Sequence, residues 1–263
     1  MSLSKPNNTE SFQMNVNKIP AVNFVEGKLP PEFMNELNSY IDEHRGKMND
    51  YSDHLVGQIK QNEKSQQLEL EKEAPTVTGL INILGMAGRV LISSYSDQLI
   101  IDKNAYNNLP LDCFSIWTVH SYDGDYNPMH DHDVSYDQKS MSFSCILYCK
   151  VPPQIEELTV DGSNDLYESG GNIDGCTQFV WGTNTSADYL TLRPRQDRVV
   201  KPEVGKFMIF PCWLKHSVMP FYGEGERRTL SANFRAPFKI SAKERSDGKT
   251  HDHWENFEKR NKK

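Results

Sequence analysis

The stretch Gly205 to Ala236, GKFMIFPCWLKHSVMPFYGEGERRTLSANFRA, decides how the chain is read. KFMIF has strand character and stops at Pro211, which has no N–H to offer a sheet ladder. His216 follows, then a second apolar segment and a turn at Gly223-Glu-Gly225. Beyond the turn the alternation is strict. Arg227, Thr229, Ser231 and Asn233 form one polar face, and Arg228, Leu230, Ala232 and Phe234 form the other. A polar strand face ending in one arginine suits a carboxylate, because the guanidinium fork pairs with two oxygens. A surface strand with that face in water would show the same pattern.

Working upstream, CFSIWTVHSY, SFSCILYCKV, TQFVWGT, DYLTLRP and DRVVKP repeat this texture from about residue 111 onward. Many short strands with Gly, Pro, Asn and Asp between them predict a sandwich or barrel. Before residue 111 the pattern is helical. Leu29-Pro30-Pro31 opens one helix, since proline suits a first turn, and Phe33, Leu37, Tyr40 and Ile41 share a face. Pro75-Thr76 opens a second helix with an apolar face of Leu80, Ile81, Ile83, Leu84, Ala87, Val90 and Leu91. Gly79, Gly85 and Gly88 either weaken that helix or admit a close neighbour. Residues 46–74 read as loops with one marginal helix. FQMNV and IPAVNFV carry the only strand-like alternation in residues 1–28. The expected class is α+β, a jelly-roll core with N-terminal helices packed on it. A single domain, 1–263, would hold a helical part at 1–110, the core at 111–240 and a polar tail at 241–263.

Hydrophobic residues make up 37% and aromatics 10%, too many for a disordered chain. No run of 18 apolar residues occurs, and the opening MSLSKPNNTESFQMN lacks an apolar core. Neither a membrane span nor a secretory signal is therefore expected, and the expected location is the cytoplasm. Lys plus Arg is 29 against 36 for Asp plus Glu, a net charge of −7 that disfavours nucleic acid as a partner. Cys113, Cys145, Cys149, Cys176 and Cys212 form no CxxC and are expected as reduced, buried thiols.

Of eight histidines, those in Asp125-Tyr-Asn-Pro-Met-His130-Asp-His132-Asp133 are the informative ones. In an extended segment His130 and His132 share a face, with Asp131 and Asp133 on the other. Two imidazoles on one face make a natural pair of metal ligands. A solvent loop or a carboxylate–histidine cluster would fit the pattern too. His251-x-His253, His44 and His54 sit in charged text and read as solvated. His120 is either a polar site residue or a satisfied side chain near a strand end.

Taken together, N-P-x-H-x-H, an apolar strand ending Tyr148-x-x-Val-Pro, F-P-x-W-L-x-H216 and G-E-R227-x-x-x-S231-x-N-F resemble the 2-oxoglutarate/Fe(II)-dependent oxygenases of the prolyl-hydroxylase-like superfamily. Members found in marine bacteria and tailed phages are the most similar, so a phage-encoded chain would work in host cytoplasm. The resemblance covers roughly residues 113–236 and implies a double-stranded β-helix. It implies Fe(II), 2-oxoglutarate and O2, with hydroxylation of an unidentified small-molecule or peptide substrate and decarboxylation of 2-oxoglutarate to succinate.

Carried over, His130 and His216 become metal ligands. Arg227, 11 residues beyond His216, would bind the distal carboxylate of 2-oxoglutarate, with Ser231 and Tyr148 as further candidates. Asn127 and Trp117 would flank the mouth on the substrate side. Asp131 and Asp133 would orient the imidazoles. The chain departs from the family pattern two residues after His130, where His132 stands in place of Asp or Glu. His132 is the favoured third ligand, since a period of two puts it on the right side; Asp133 or Asp131 is the alternate. A non-catalytic jelly roll and a three-histidine metalloenzyme without 2-oxoglutarate are the competing classes. The linked set His130, His216 and Arg227 speaks against the first, and the second would leave Arg227 with no anion to hold.

Overall fold

Ten strands in two antiparallel sheets build the barrel seen in the computed structural model, which describes residues 22–95, 110–132, 140–158, 173–183 and 192–237. The strands are β1 (Val25–Lys28), β2 (Gln66–Glu69), β3 (Asp112–Ser121), β4 (Asn127–His130), β5 (Ser140–Lys150), β6 (Thr177–Val180), β7 (Asp197–Val200), β8 (Lys206–Pro211), β9 (Lys215–Val218) and β10 (Arg227–Pro237). The larger sheet runs β1-β8-β5-β10-β3-β2 and the smaller β4-β9-β6-β7. Helices α1 (Pro31–His44) and α2 (Pro75–Ser94) begin at the expected prolines, and a one-turn α3 spans Pro153–Glu156.

Alternation divides the larger sheet into two buried faces. Cys145, Leu147, Phe207, Ile209, Leu230, Ala232 and Phe234 pack outward against Leu37 and Ile41 of α1 and Val77, Leu80 and Leu84 of α2. Ile146, Tyr148, Met208 and Phe210 point inward, where they meet Phe179, Val200 and Leu214 of the smaller sheet and its turns. Gly88 admits a close neighbour, but the neighbour is a ring. A Cβ there would sit 2.0 Å from Phe143 Cζ, so the helix lies directly on the stacked Phe143–Phe234 pair.

Three expectations need correction. Residues 46–74 hold no α-helix. They form short turns and then β2, where Leu68 and Leu70 are buried and Glu69 between them is exposed. The segment before residue 111 is also not purely helical, because β1 and β2 supply both edges of the larger sheet. A sheet edge leaves unpaired backbone groups, and these short strands cap it. Val90 of α2 is exposed, while Val77 and Ile92 are buried in its place on the apolar face.

By length and composition α2 is apolar enough to cross a membrane, although no unbroken apolar run exists. Its buried side chains are those that cover the sheet. All five cysteines are buried thiols outside any disulfide, as expected. Residues 188–191 of DYLTLRP, the FQMNV run and the tail from 241 lie outside the described residues, and residues 192–194 are not in a strand.

Candidate active site

Residues 50–67 reach the barrel mouth because Asp125 ties them down. Its buried carboxylate accepts the backbone N–H groups of Lys60, Gln61 and Tyr122, each at 2.9 Å, and the Ser65 hydroxyl. Gln58 N–H adds a bond to the Tyr126 carbonyl at 2.9 Å. The result is a cavity of about 270 Å³ between this segment, β4, β9 and the inner face of β10.

Three imidazoles meet on its wall. The ligand-capable ring atoms of His130, His132 and His216 lie within 4.8 Å of one another. His130 and His216 are register partners on β4 and β9. His132 lies just past β4, and its backbone N–H donates to the Cys212 carbonyl at 2.9 Å.

Each ring is oriented through Nδ1. That nitrogen donates to Pro128 O at 2.7 Å in His130, to Leu214 O at 2.9 Å in His216 and to Asn233 Oδ1 at 2.7 Å in His132. Such bonds leave the Nε2 lone pair for a metal. Carboxylates were expected in this role, and carbonyl oxygens perform it instead. Asp131 lines the cavity but is not part of the cluster, and Asp133 lies outside the described residues.

Burial lowers the pKa of all three rings. His132 falls from 6.5 to about 4, and His216 falls well below its usual value, with His130 and His132 adding to the effect. The rings are neutral at pH 7, the form that binds a metal.

The polar face of β10 lines the same cavity through Arg227, Thr229, Ser231 and Asn233, which settles that it is not a solvated surface. Arg227 is only 1% exposed. Its Nε donates to Gly175 O at 2.8 Å, and the guanidinium lies 5.5 Å from the centre of the Tyr148 ring. No carboxylate pairs with it among the described residues. Burial lowers its pKa, but a guanidinium stays charged in any case.

Tyr148 is fully buried and does not line the cavity. Its hydroxyl donates to Thr177 Oγ1 at 2.9 Å, so it supports Arg227 from below. Trp117 and Asn127 do line it, Trp117 with its ring centre 6.0 Å from that of His132. His120 is a satisfied side chain: Nδ1 contacts Glu226 at 2.6 Å and Nε2 contacts Thr118 at 2.9 Å. His44 bonds the Tyr40 carbonyl of its own helix at 2.8 Å. His54 is exposed, as expected, and it also lines the cavity beside Leu55, Val56 and Gly57. Gln67 lines the wall too. The Leu68/Leu70 alternation was the signal for the strand that carries it, and nothing local marked His54.

With this geometry in view, the comparisons become specific. Residues 115–233, a little under half of the chain, match the family described as "Putative 2OG-Fe(II) oxygenase". No curated protein matches the sequence. Among solved structures, a prolyl-4-hydroxylase from Pseudomonas putida is 14% identical, with a TM-score of 0.49 over 83% of this chain and 94% of its own. The viral collagen prolyl hydroxylase of Paramecium bursaria Chlorella virus-1, solved with 2-oxoglutarate, is 17% identical, with a TM-score of 0.45 over 81% and 96%. HygX of Streptomyces hygroscopicus, with nickel and 2-oxoglutarate bound, is 10% identical, with a TM-score of 0.44 over 84% and 85%. The match of this core segment is to the 2OG-Fe(II) oxygenases, enzymes that use Fe(II), 2-oxoglutarate and O2.

Proposed function

We propose that His130, His132 and His216 hold the Fe(II), that Arg227 holds the distal carboxylate of 2-oxoglutarate, and that the enzyme hydroxylates a small molecule or peptide while 2-oxoglutarate becomes succinate. The observation that carries this reading is Arg227. A fully buried guanidinium with no acid partner among the described residues, facing a cavity that also holds three neutral imidazoles, is stabilised when an anion joins it. A dicarboxylate that reaches from the imidazoles to the arginine supplies that anion.

The residues present fit the group they would hold. Three nitrogen donors with free Nε2 lone pairs, all within 4.8 Å of one another, would hold a ferrous ion. When bound, Fe(II) together with 2-oxoglutarate supplies the power to activate O2 for hydroxylation. The protein's own part is placement. Gly175, Thr177 and Tyr148 fix the guanidinium, and the Thr229 and Ser231 hydroxyls line the path toward it. Trp117 and Ile146 form apolar wall that limits water. A third imidazole in place of a carboxylate leaves the metal one negative charge short, which raises the affinity of the remaining positions for anions.

The test is anaerobic addition of Fe(II) and 2-oxoglutarate. Wild type should show the visible charge-transfer band of the chelate. Arg227→Ala should lose it at co-substrate levels that saturate wild type, and His216→Ala should lose metal binding. Tight Zn(II) binding without a band would favour a hydrolase, and neither signal would leave a binding barrel.

A further inference from the structure

Two further acceptors line the cavity, one on β2, two strands from β10 in the same sheet, and one on β4. Gln67 is 2% exposed and its Oε1 has no hydrogen-bond partner among the described residues; Asn127 Oδ1 is buried and equally unpaired among them. Both residues line the cavity. Gly57 lies against them. A Cβ at that position would sit 2.5 Å from Asn127 Oδ1 and 2.7 Å from Gln67 Oε1, so both oxygens pack against the glycine near one another and any side chain there would displace them. Buried carbonyl oxygens are almost always paired, and leaving two unpaired side by side destabilises a fold. Their convergence in a cavity marks a place where the partner comes from outside. A polar group sought there must be a donor, since two acceptors repel a third. Asp131 adds a carboxylate to the same cavity, so the donor that fits best also carries positive charge.

We propose that Gln67, Asn127 and Gly57 form a subsite for a primary ammonium group of the substrate, held apart from the co-substrate end at Arg227. This rests on the oxygenase reading of the same cavity and names the class of substrate that reading lacks. Gln67 and Asn127 would accept two of the three N–H donors. Gly57, having no Cβ, would let both oxygens keep their positions. A secondary strand outside the family-matched segment would thereby set specificity, because Gln67 lies on β2 and the match begins at residue 115.

The experiment uses the full chain without metal, so that no amine can bind through iron. Saturation-transfer NMR compares n-butylammonium with N,N,N-trimethylbutylammonium, which keeps the charge and loses every N–H, and with butanamide. The ammonium should bind roughly tenfold more tightly than either. Gly57→Ala and Gln67→Met should each remove that preference. Gln67→Met should also leave Tm unchanged or raise it by about 2–4 °C, because it deletes an unpaired buried acceptor. A structural glutamine would show the opposite Tm change. Equal binding of the methylated probe, preference for butanamide, no binding of n-butylammonium at millimolar concentration, or a falling Tm in Gln67→Met would each overturn the proposal. The chelate band, measured in parallel on wild type, keeps the two readings apart. A band without an ammonium preference removes this subsite alone, whereas loss of the band removes the oxygenase reading.

Discussion

Arg227 and Arg228 are neighbours on β10, both buried, and surrounded by opposite chemistry. Arg228 faces outward into a closed network: Nε donates to Glu226 at 2.9 Å, Nη2 to Asp42 at 2.5 Å and Nη1 to Asn38 at 3.1 Å. His120 and Lys150 complete the shell around Glu226. Burial would raise the pKa of Glu226, but the bonds from His120 and Arg228 outweigh it and hold the carboxyl near 2. The network joins α1 to the barrel and needs nothing further. Arg227 faces inward and, among the described residues, meets a carbonyl, a distant hydroxyl and an aromatic face. One guanidinium is closed in by carboxylates and the other faces the cavity. A strand that turns successive side chains to opposite faces can therefore carry both roles in adjacent residues.

The sharpest way to break this contrast is at the imidazoles that share Arg227's cavity. His216→Ala should abolish Fe(II) binding and turnover, since two histidines remain where three converge; metal titration followed by succinate release checks it. Arg227→Ala should weaken 2-oxoglutarate by at least about 100-fold, equivalent to about 3 kcal/mol for a lost charge-assisted bidentate pair, with Tm unchanged or higher. Calorimetric titration and a melting curve read the two effects separately.

Arg228→Ala should do the reverse. It leaves Glu226 buried without its main partner, so stability should fall by about 3 kcal/mol while affinity for 2-oxoglutarate changes less than twofold. Urea melts with the same titration decide it. If both variants lost co-substrate affinity equally, the division between the two faces would be wrong.

The pH response separates the regions further. The depressed histidines take up protons in the unfolded chain near 6.5 but resist in the fold, so metal-free stability should drop as pH falls from 6.5 toward about 4. The Glu226 contribution is present above 4.5 and is lost as pH falls toward about 2. His132→Gln should flatten the upper window without removing it, because buried His120 has a lowered pKa too. Tm against pH measures both. The smallest effect belongs to Tyr148→Phe, which deletes the hydroxyl bond to Thr177 and keeps the ring under Arg227. It should cost about 1 kcal/mol and no more than a few-fold in 2-oxoglutarate affinity.

The amino-acid sequence alone determined what depends on short-range order. Alternation in β10 assigned Arg227 and Arg228 to different faces, the prolines at 31 and 75 opened the helices, and a period of two paired His130 with His132. Spacing and resemblance joined these to His216. Only the tertiary structure decided what each face meets, because that depends on segments far apart in sequence. It brought His130 beside His216, put carbonyls rather than carboxylates behind the imidazoles, and moved Tyr148 beneath the arginine. It also made residues 54–67 a wall of the cavity through the bonds of Asp125, some 60 residues away. Those contacts leave no local period to read, since each is a single hydrogen bond or side chain placed by the packing of the whole barrel.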